Sequence, residues 1–362
     1  MNQFQKSTKQ EWLDKVKTDL KGKAIEELYW DLNPDLLISP FSDISDLQYS
    51  GVVQRNQSDN SWFSIEPIWL TDDLHQGNAQ IMRALEGGMN GLRMHVTEEL
   101  TADQFSILLK DVYLEMLYLD FELGSKVDLT QFVDHLEQYT GSKGYTLKQL
   151  NLSLYSPQAL ENQKSAFHDS NIRMYTVNGL RYYKGKSEVS QELGNILFET
   201  NQLIENAVQS EINRIYSSLH FKLAVDDCYF LNIAAIRALK HLIRQLFTAY
   251  EYSPDADPFI SAVFTTEATV DDINYNRIKV SSAALSAVIA GADTVQIFNP
   301  NMESTEPEEF RRKICRNVFH LLTRESYMDR VIDPATGSYY IESLTNQVAE
   351  AAWTYFQNKW SV

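Results

Sequence analysis

Asp226 and Asp227 are the side chains best placed for acid–base chemistry or for holding a cation, because they directly follow the β-rich run His220–Val225. The C-terminal ends of strands are where barrel enzymes gather their catalytic groups. The same two carboxylates would also cap a helix starting near Tyr229, whose dipole and unpaired N–H groups attract anions. We adopt this capping reading. Other candidates carry less. Seven histidines (His75, His95, His135, His168, His220, His241 and His320) stand singly, with neither HExxH nor two His four apart, so a zinc site has nothing to start from. Cys228 and Cys315 form no CxxC pair and read as small apolar residues inside helical stretches. The 14 glycines include neither GxGxxG nor a P-loop spacing, which removes the usual nucleotide cradles.

The elements that must position these residues alternate. Apolar or β-rich runs occur at Phe63–Ile68, Leu92–Val96, Tyr118–Leu123, Gln149–Tyr155, Ile172–Val177, His220–Val225, Phe259–Phe264 and Thr294–Phe298. Helical patterns lie between or after them at Ile81–Leu85, Ala102–Leu114, Leu129–Tyr139, Ser190–Gln209, Leu231–Ala249, Asp271–Ala290 and Thr345–Trp360. Eight strands, most followed by a helix, predict an α/β fold, a parallel (β/α)8 TIM barrel over residues 61–362. A doubly wound sheet would need a glycine-rich first turn that is not found. Residues 1–60 read as an N-terminal helical and extended arm. Thr8 with Glu11 has capping-box spacing, and Trp12, Val16 and Leu20 form one apolar stripe without a sheet of its own to cover, so they are the predicted interface. Tyr29 to Phe41 reads as irregular.

With 32 Lys+Arg against 49 Asp+Glu, the net charge is −17, which repels phosphate backbones and argues against nucleic-acid partners or a basic membrane-surface role. No apolar run approaches the ~20 residues of a bilayer span. The start, Met1-Asn2-Gln3-Phe4-Gln5-Lys6, lacks the apolar core of a signal peptide, so a soluble, cytoplasmic chain is expected.

Period two sharpens the barrel reading, since one parity of each strand faces the helices and the other the lumen. Leu92, Met94, Val96, Leu119, Phe121, Leu123, Phe221, Leu223 and Val225 form the apolar, helix-facing set. That assigns Arg93, His95, Asp120, Glu122, Arg173, Tyr175, His220, Lys222 and Gln296 to the lumen. Three cations (Arg93, Arg173, Lys222) and two anions in one confined space should pair, because an isolated buried charge costs several kcal/mol. Arg93, His95, Asp120, Glu122, Arg173 and Lys222 are therefore the predicted lumen plug.

The run Arg330-Val331-Ile332-Asp333-Pro334-Ala335-Thr336-Gly337-Ser338-Tyr339-Tyr340-Ile341-Glu342-Ser343-Leu344-Thr345 resembles the signature that closes the barrel of methylmalonyl-CoA mutases. Tyr275-Asn276-Arg277-Ile278-Lys279, Ala283 to Val288 and Gly291-Ala292-Asp293-Thr294-Val295 are similar to the family too. The last of these is closest to its small (β) subunit. Asn178-Gly179, Ile236-Arg237-Ala238, and Asn317 with a following apolar helix are weaker matches. In the arm, Glu11-Trp12 and Asp19-Leu20-Lys21-Gly22 also resemble the small subunit. The likeness spans nearly the whole chain, strongest over 259–345, and implies a TIM barrel. The signature itself reads as structural: Asp333 accepts backbone donors in a turn shaped by Pro334 and Gly337, and Tyr339 anchors the chain.

The family's radical chemistry requires adenosylcobalamin. The resemblance places it on a separate C-terminal domain with a DxHxxG loop. Here Asp73-Leu74-His75-Gln76-Gly77 is one residue short and precedes a barrel helix, and no further domain is expected after Trp360. The Tyr-His pair implied after Asn178-Gly179 is replaced by Leu180 and Arg181, the degenerate active-site positions. No tyrosine occurs from Asn60 to Gly88, and Ala262 to Ala268 lacks the Arg, His and Gln of the matching family strand. No catalytic, cofactor-binding or metal residue is thus expected. The resemblance implies a non-catalytic small (β) subunit, heterodimeric with a homologous large (α) subunit that carries adenosylcobalamin and interconverts methylmalonyl-CoA and succinyl-CoA. The alternative is a free-standing acyl-CoA-binding or mutase-like barrel enzyme with an altered active site.

Overall fold

The strands follow from short apolar or aromatic runs, and the helices after Thr8, Asp73, Thr101, Asp128 and Asp272 from a capping side chain ahead of them. The computed structural model describes residues 8–33, 36–47, 59–156, 172–207, 211–265, 269–298 and 306–361. Thr8 caps α1 (Lys9–Asp19) in a reciprocal capping box with Glu11. The stretch read as irregular instead forms an antiparallel hairpin, β1 (Trp30–Asn33) with β2 (Leu36–Ile38). Leu32, Leu36 and Ile38 put its inner face into the common core, which supplies the burial that a short hairpin lacks alone.

The barrel follows: β3 (Phe63–Trp69), α2 (Leu74–Glu86), β4 (Gly91–Val96), α3 (Ala102–Leu108), β5 (Tyr118–Leu123), α4 (Leu129–Ser142), β6 (Asn151–Tyr155) and β7 (Tyr175–Asn178). It continues with α5 (Val189–Glu205), α6 (Ile212–Ser218), β8 (Leu219–Val225), α7 (Tyr229–Ala249), β9 (Ile260–Phe264), α8 (Ile273–Ala290), β10 (Thr294–Gln296), α9 (Glu308–His320) and α10 (Tyr339–Trp360). The parallel strands run in the order β6-β5-β4-β3-β10-β9-β8-β7. The two ends join where Leu154 N donates to Arg173 O (2.9 Å) and Arg173 N to Leu152 O (3.0 Å), so the sheet closes into a TIM barrel.

Some elements differ from the pattern reading. Helix α2 begins seven residues earlier than its apolar stripe, because Asp73 accepts from the N–H groups of His75 and Gln76. Helix α3 ends at Leu108 rather than Leu114, ahead of a turn that holds Asp111 at φ +62°. Asn317 lies inside α9 rather than before a helix. Among the described residues no helix is long and apolar enough to cross a membrane.

Candidate functional site

The register fixes what lines the lumen. Pro67, Arg93, Asp120 and Ser153 lie side by side across β3, β4, β5 and β6, and Lys222, Ser261 and Thr294 across β8, β9 and β10. Arg93 Nε donates to Asp120 Oδ2 at 2.6 Å, and its Nη1 donates to Gln296 Oε1 at 2.7 Å. Lys222 Nζ lies 3.2 Å from Asp120 Oδ2 and also bonds Glu122. His95 Nδ1 stands 2.8 Å from Glu122 Oε2 while its ring stacks on Trp69. Arg93, Asp120 and Lys222 are buried completely or nearly so, whereas Glu122 and His95 are only partly covered. The ionic centre is therefore buried, and its upper layer opens toward the C-terminal mouth.

Electrostatics follow from that geometry. Burial pushes the Asp120 carboxyl up, but Lys222 and Arg93 outweigh it and hold the group below its ordinary range. Glu122 is held well below its range: burial is again opposed by Lys222, by the hydrogen bond from His95, and by Arg93. His220, fully buried between Thr176 and Ser261, is driven well below its usual range, chiefly by burial, and stays neutral.

Two parity readings need correction. Thr176, not Tyr175, pairs with His220 and shares the lumen face, while Arg173 pairs with lumen-facing Ser153. The alternation therefore slips between residues 173 and 176. Arg173 makes no ion pair among the described residues; its guanidinium lies 3.7 Å from the Phe259 ring centre. Nor is the helix-facing side wholly apolar. Glu66 faces outward and is clasped by Arg316 (2.5 and 2.7 Å) and Arg312 (3.1 Å) from α9. A lone glutamate in a strand gives no sign of partners some 250 positions away.

At the C-terminal rim, Leu180 and Arg181 lie in a single 3-10 turn after β7. The Arg181 guanidinium turns to Glu199 of α5 (3.2 Å), away from the lumen ion pairs. Gly179 is required there, since a Cβ would come within 2.6 Å of Lys222 O. Asp226 accepts from Cys228 N (2.7 Å) and from the Tyr183 hydroxyl (2.7 Å), whereas Asp227 pairs with Lys279 (2.7 Å). Of the two, only Asp226 acts on the start of α7. Cys228 stands at the N-cap rather than inside that helix; Cys315 lies within α9. Asp226, Asp227 and Cys228 could converge on one cation; without one, burial holds the Cys228 thiol up at about 12, so it rests protonated.

Glu192 of α5 was not singled out by its sequence, which shows only one more helical glutamate. It is fully buried beneath the same rim and accepts from Ala224 N (3.2 Å). Burial raises its carboxyl to about 8. The folded chain then keeps a proton that the unfolded chain loses near pH 4.5, so Glu192 erodes stability as pH rises from about 4.5 to 8. Glu192→Gln should remove that slope and stabilise the protein by about 1–3 kcal/mol at pH 8, with little change at pH 5. Thermal melts across that range check it; a variant that is no more stable at pH 8 would refute the assignment.

The 330–345 run has a different anchor from the one expected. Tyr339 is exposed and anchors nothing, while Tyr340 packs edge-on against Phe230. Asp333, at φ +45°, accepts from the Thr336 hydroxyl (2.7 Å) and from Arg237 Nη1. Arg237 Nη2 donates to Glu342 Oε1 at 2.7 Å. One buried guanidinium on α7 thus ties both ends of the turn and the start of α10 together.

Comparison with known proteins agrees with this architecture. The family model described as methylmalonyl-CoA mutase matches residues 126–359. The chain belongs to the methylmalonyl-CoA mutase family. Within it, the relatives similar over most of this chain's length are small subunits. A methylmalonyl-CoA mutase small subunit of Porphyromonas gingivalis is 27% identical, over 98% of this chain and 63% of its own length. Small subunits of Streptomyces virginiae (32% identical, 51% of this chain, 31% of that one) and Propionibacterium freudenreichii (25%, 85% and 51%) follow. The chain spans less than two thirds of the length of these relatives.

The mutase family's adenosylcobalamin does not fit the residues described here. His75, in the run that comes nearest to a DxHxxG loop, is an exposed residue in the first turn of α2. The lumen centre is filled by Arg93, Asp120 and Lys222.

Proposed function

We propose that this chain acts as a non-catalytic small subunit of an adenosylcobalamin-dependent methylmalonyl-CoA mutase. In this reading the homologous large subunit holds the cofactor and carries out the rearrangement in the cytoplasm, and the barrel of residues 61–362 supports it. The single observation that carries the proposal is the ion-paired Arg93–Asp120–Lys222–Glu122 centre, which occupies the volume a pantetheine arm would need. The replacement of a Tyr-His pair by Leu180 and Arg181 points the same way, with Arg181 committed to Glu199.

The partner-facing part of the 1–60 arm is α1 with its C-cap, where Trp12, Val16 and Leu20 are each partly exposed. Trp12 also stacks on Phe41 at 4.5 Å. The hairpin beyond it packs on the barrel and does not belong to the separable arm.

Calorimetry of the purified chain with CoA and with methylmalonyl-CoA, and a turnover assay with added adenosylcobalamin, should both give nothing. Micromolar CoA binding or any turnover would overturn the proposal and favour the free-standing acyl-CoA barrel.

A further inference from the structure

Two adjoining cavities, of about 540 and 210 Å³, lie between the β1–β2 hairpin and one face of α10. They share Gln347 and Glu350, so they form one elongated groove. Its floor is a continuous stripe of α10 at three- and four-residue spacing, running from Ser343 through Gln347, Glu350 and Thr354 to Asn358. At 1.5 Å per residue that stripe is about 22 Å long. The opposite wall is Asn33 at the end of β1, Leu37 of β2, and Ser187, Ser190 and Gln191 at the start of α5. The Ser190 side chain is buried, lines the larger cavity, and its hydroxyl meets no partner.

The lining selects its ligand. Among the described residues no lysine or arginine lines either cavity, while Glu350 faces both. Phosphorylated ligands, nucleotides and CoA would therefore meet repulsion, and so would any acidic chain. An apolar ligand would leave the Ser190 hydroxyl without a partner and cover the Asn358 amide, which is costly. A polypeptide in extended conformation offers an N–H and a C=O at every residue to match such a surface. At about 3.3 Å per residue, roughly seven residues span the groove.

We propose that this groove binds an extended, basic peptide segment of another protein chain, with a lysine or arginine set over Glu350. The inference rests on the groove alone and survives whether or not the barrel proves catalytic.

The test uses fluorescence polarisation of the full chain with two labelled seven-residue peptides, identical except for a central lysine or glutamate. The lysine peptide should bind about fivefold more tightly, the modest effect of a partly exposed charge pair. Glu350→Lys should reverse the preference, and Thr354→Trp, at an exposed position, should abolish binding of both peptides. Both variants should keep the wild-type melting temperature. Equal affinities, no binding, or binding that ignores both variants would each overturn the proposal. So would self-association of the chain that Thr354→Trp removes, because the occupant would then be a second copy.

Discussion

Arg237→Met should cost about 3–5 kcal/mol of folding free energy, one of the two largest losses expected of a single substitution in this protein. The guanidinium is 1% exposed and is shared by two carboxylates, Asp333 and Glu342, which are themselves buried. Removing it leaves two desolvated anions near each other with only the Thr336 hydroxyl and the Gly337 N–H as donors. Methionine restores most of the volume, so the loss is electrostatic rather than a cavity effect. Arg237→Lys should fall between, because one ammonium cannot reproduce two diverging N–H bonds. Neutralising the anions as well, with Asp333→Asn and Glu342→Gln in the Met variant, should recover part of the loss; asparagine also tolerates the left-handed backbone at 333. Urea denaturation reads all three variants. A Met variant within about 1 kcal/mol of wild type would show that the signature holds α10 by other means.

Lys222→Met should destabilise to a similar extent, again by about 3–5 kcal/mol, and with a distinctive pH dependence. Lys222 is fully buried and is the cation shared by Asp120 and Glu122. Without it, Asp120 keeps Arg93 and Glu122 keeps His95 and a longer contact with Arg93, so the cost falls mainly on two neighbouring carboxylates on one face of β5 that have lost their shared ammonium. In the wild type both carboxyls titrate below their ordinary range. Their contribution is complete at neutral pH and disappears only as pH falls below about 4. In the variant, repulsion and burial raise at least one of them. The folded state then takes up a proton on mild acidification, and the gap from wild type should narrow from pH 7 toward pH 5. Adding Glu122→Gln should recover part of the loss. A pH-independent gap would mean that packing, not charge, sets the cost.

How much of this was legible beforehand depends on the range of the interaction. All eight strands lay within a few residues of their apolar runs, because the two-residue alternation and the residues that end it are local. The capping box of Thr8 with Glu11 was equally legible, since both partners lie in one turn. That Arg93, Asp120, Glu122 and Lys222 each lie on the polar side of a strand also follows from the two-residue period. Which of them meet does not, because Lys222 is 100 residues from Glu122 and reaches it only once β8 and β5 face each other across the closed lumen. The barrel likewise decided that Glu66 faces two arginines of α9, and that Arg237 rather than Tyr339 secures the 330–345 turn. The slip between Arg173 and Thr176 arose where β7 joins β6 at one end and β8 at the other. Local sequence thus determined the elements and the faces they offer. The pairing of buried charges waited on tertiary closure, because a charge is specified by whatever the rest of the chain brings to within about 3 Å of it.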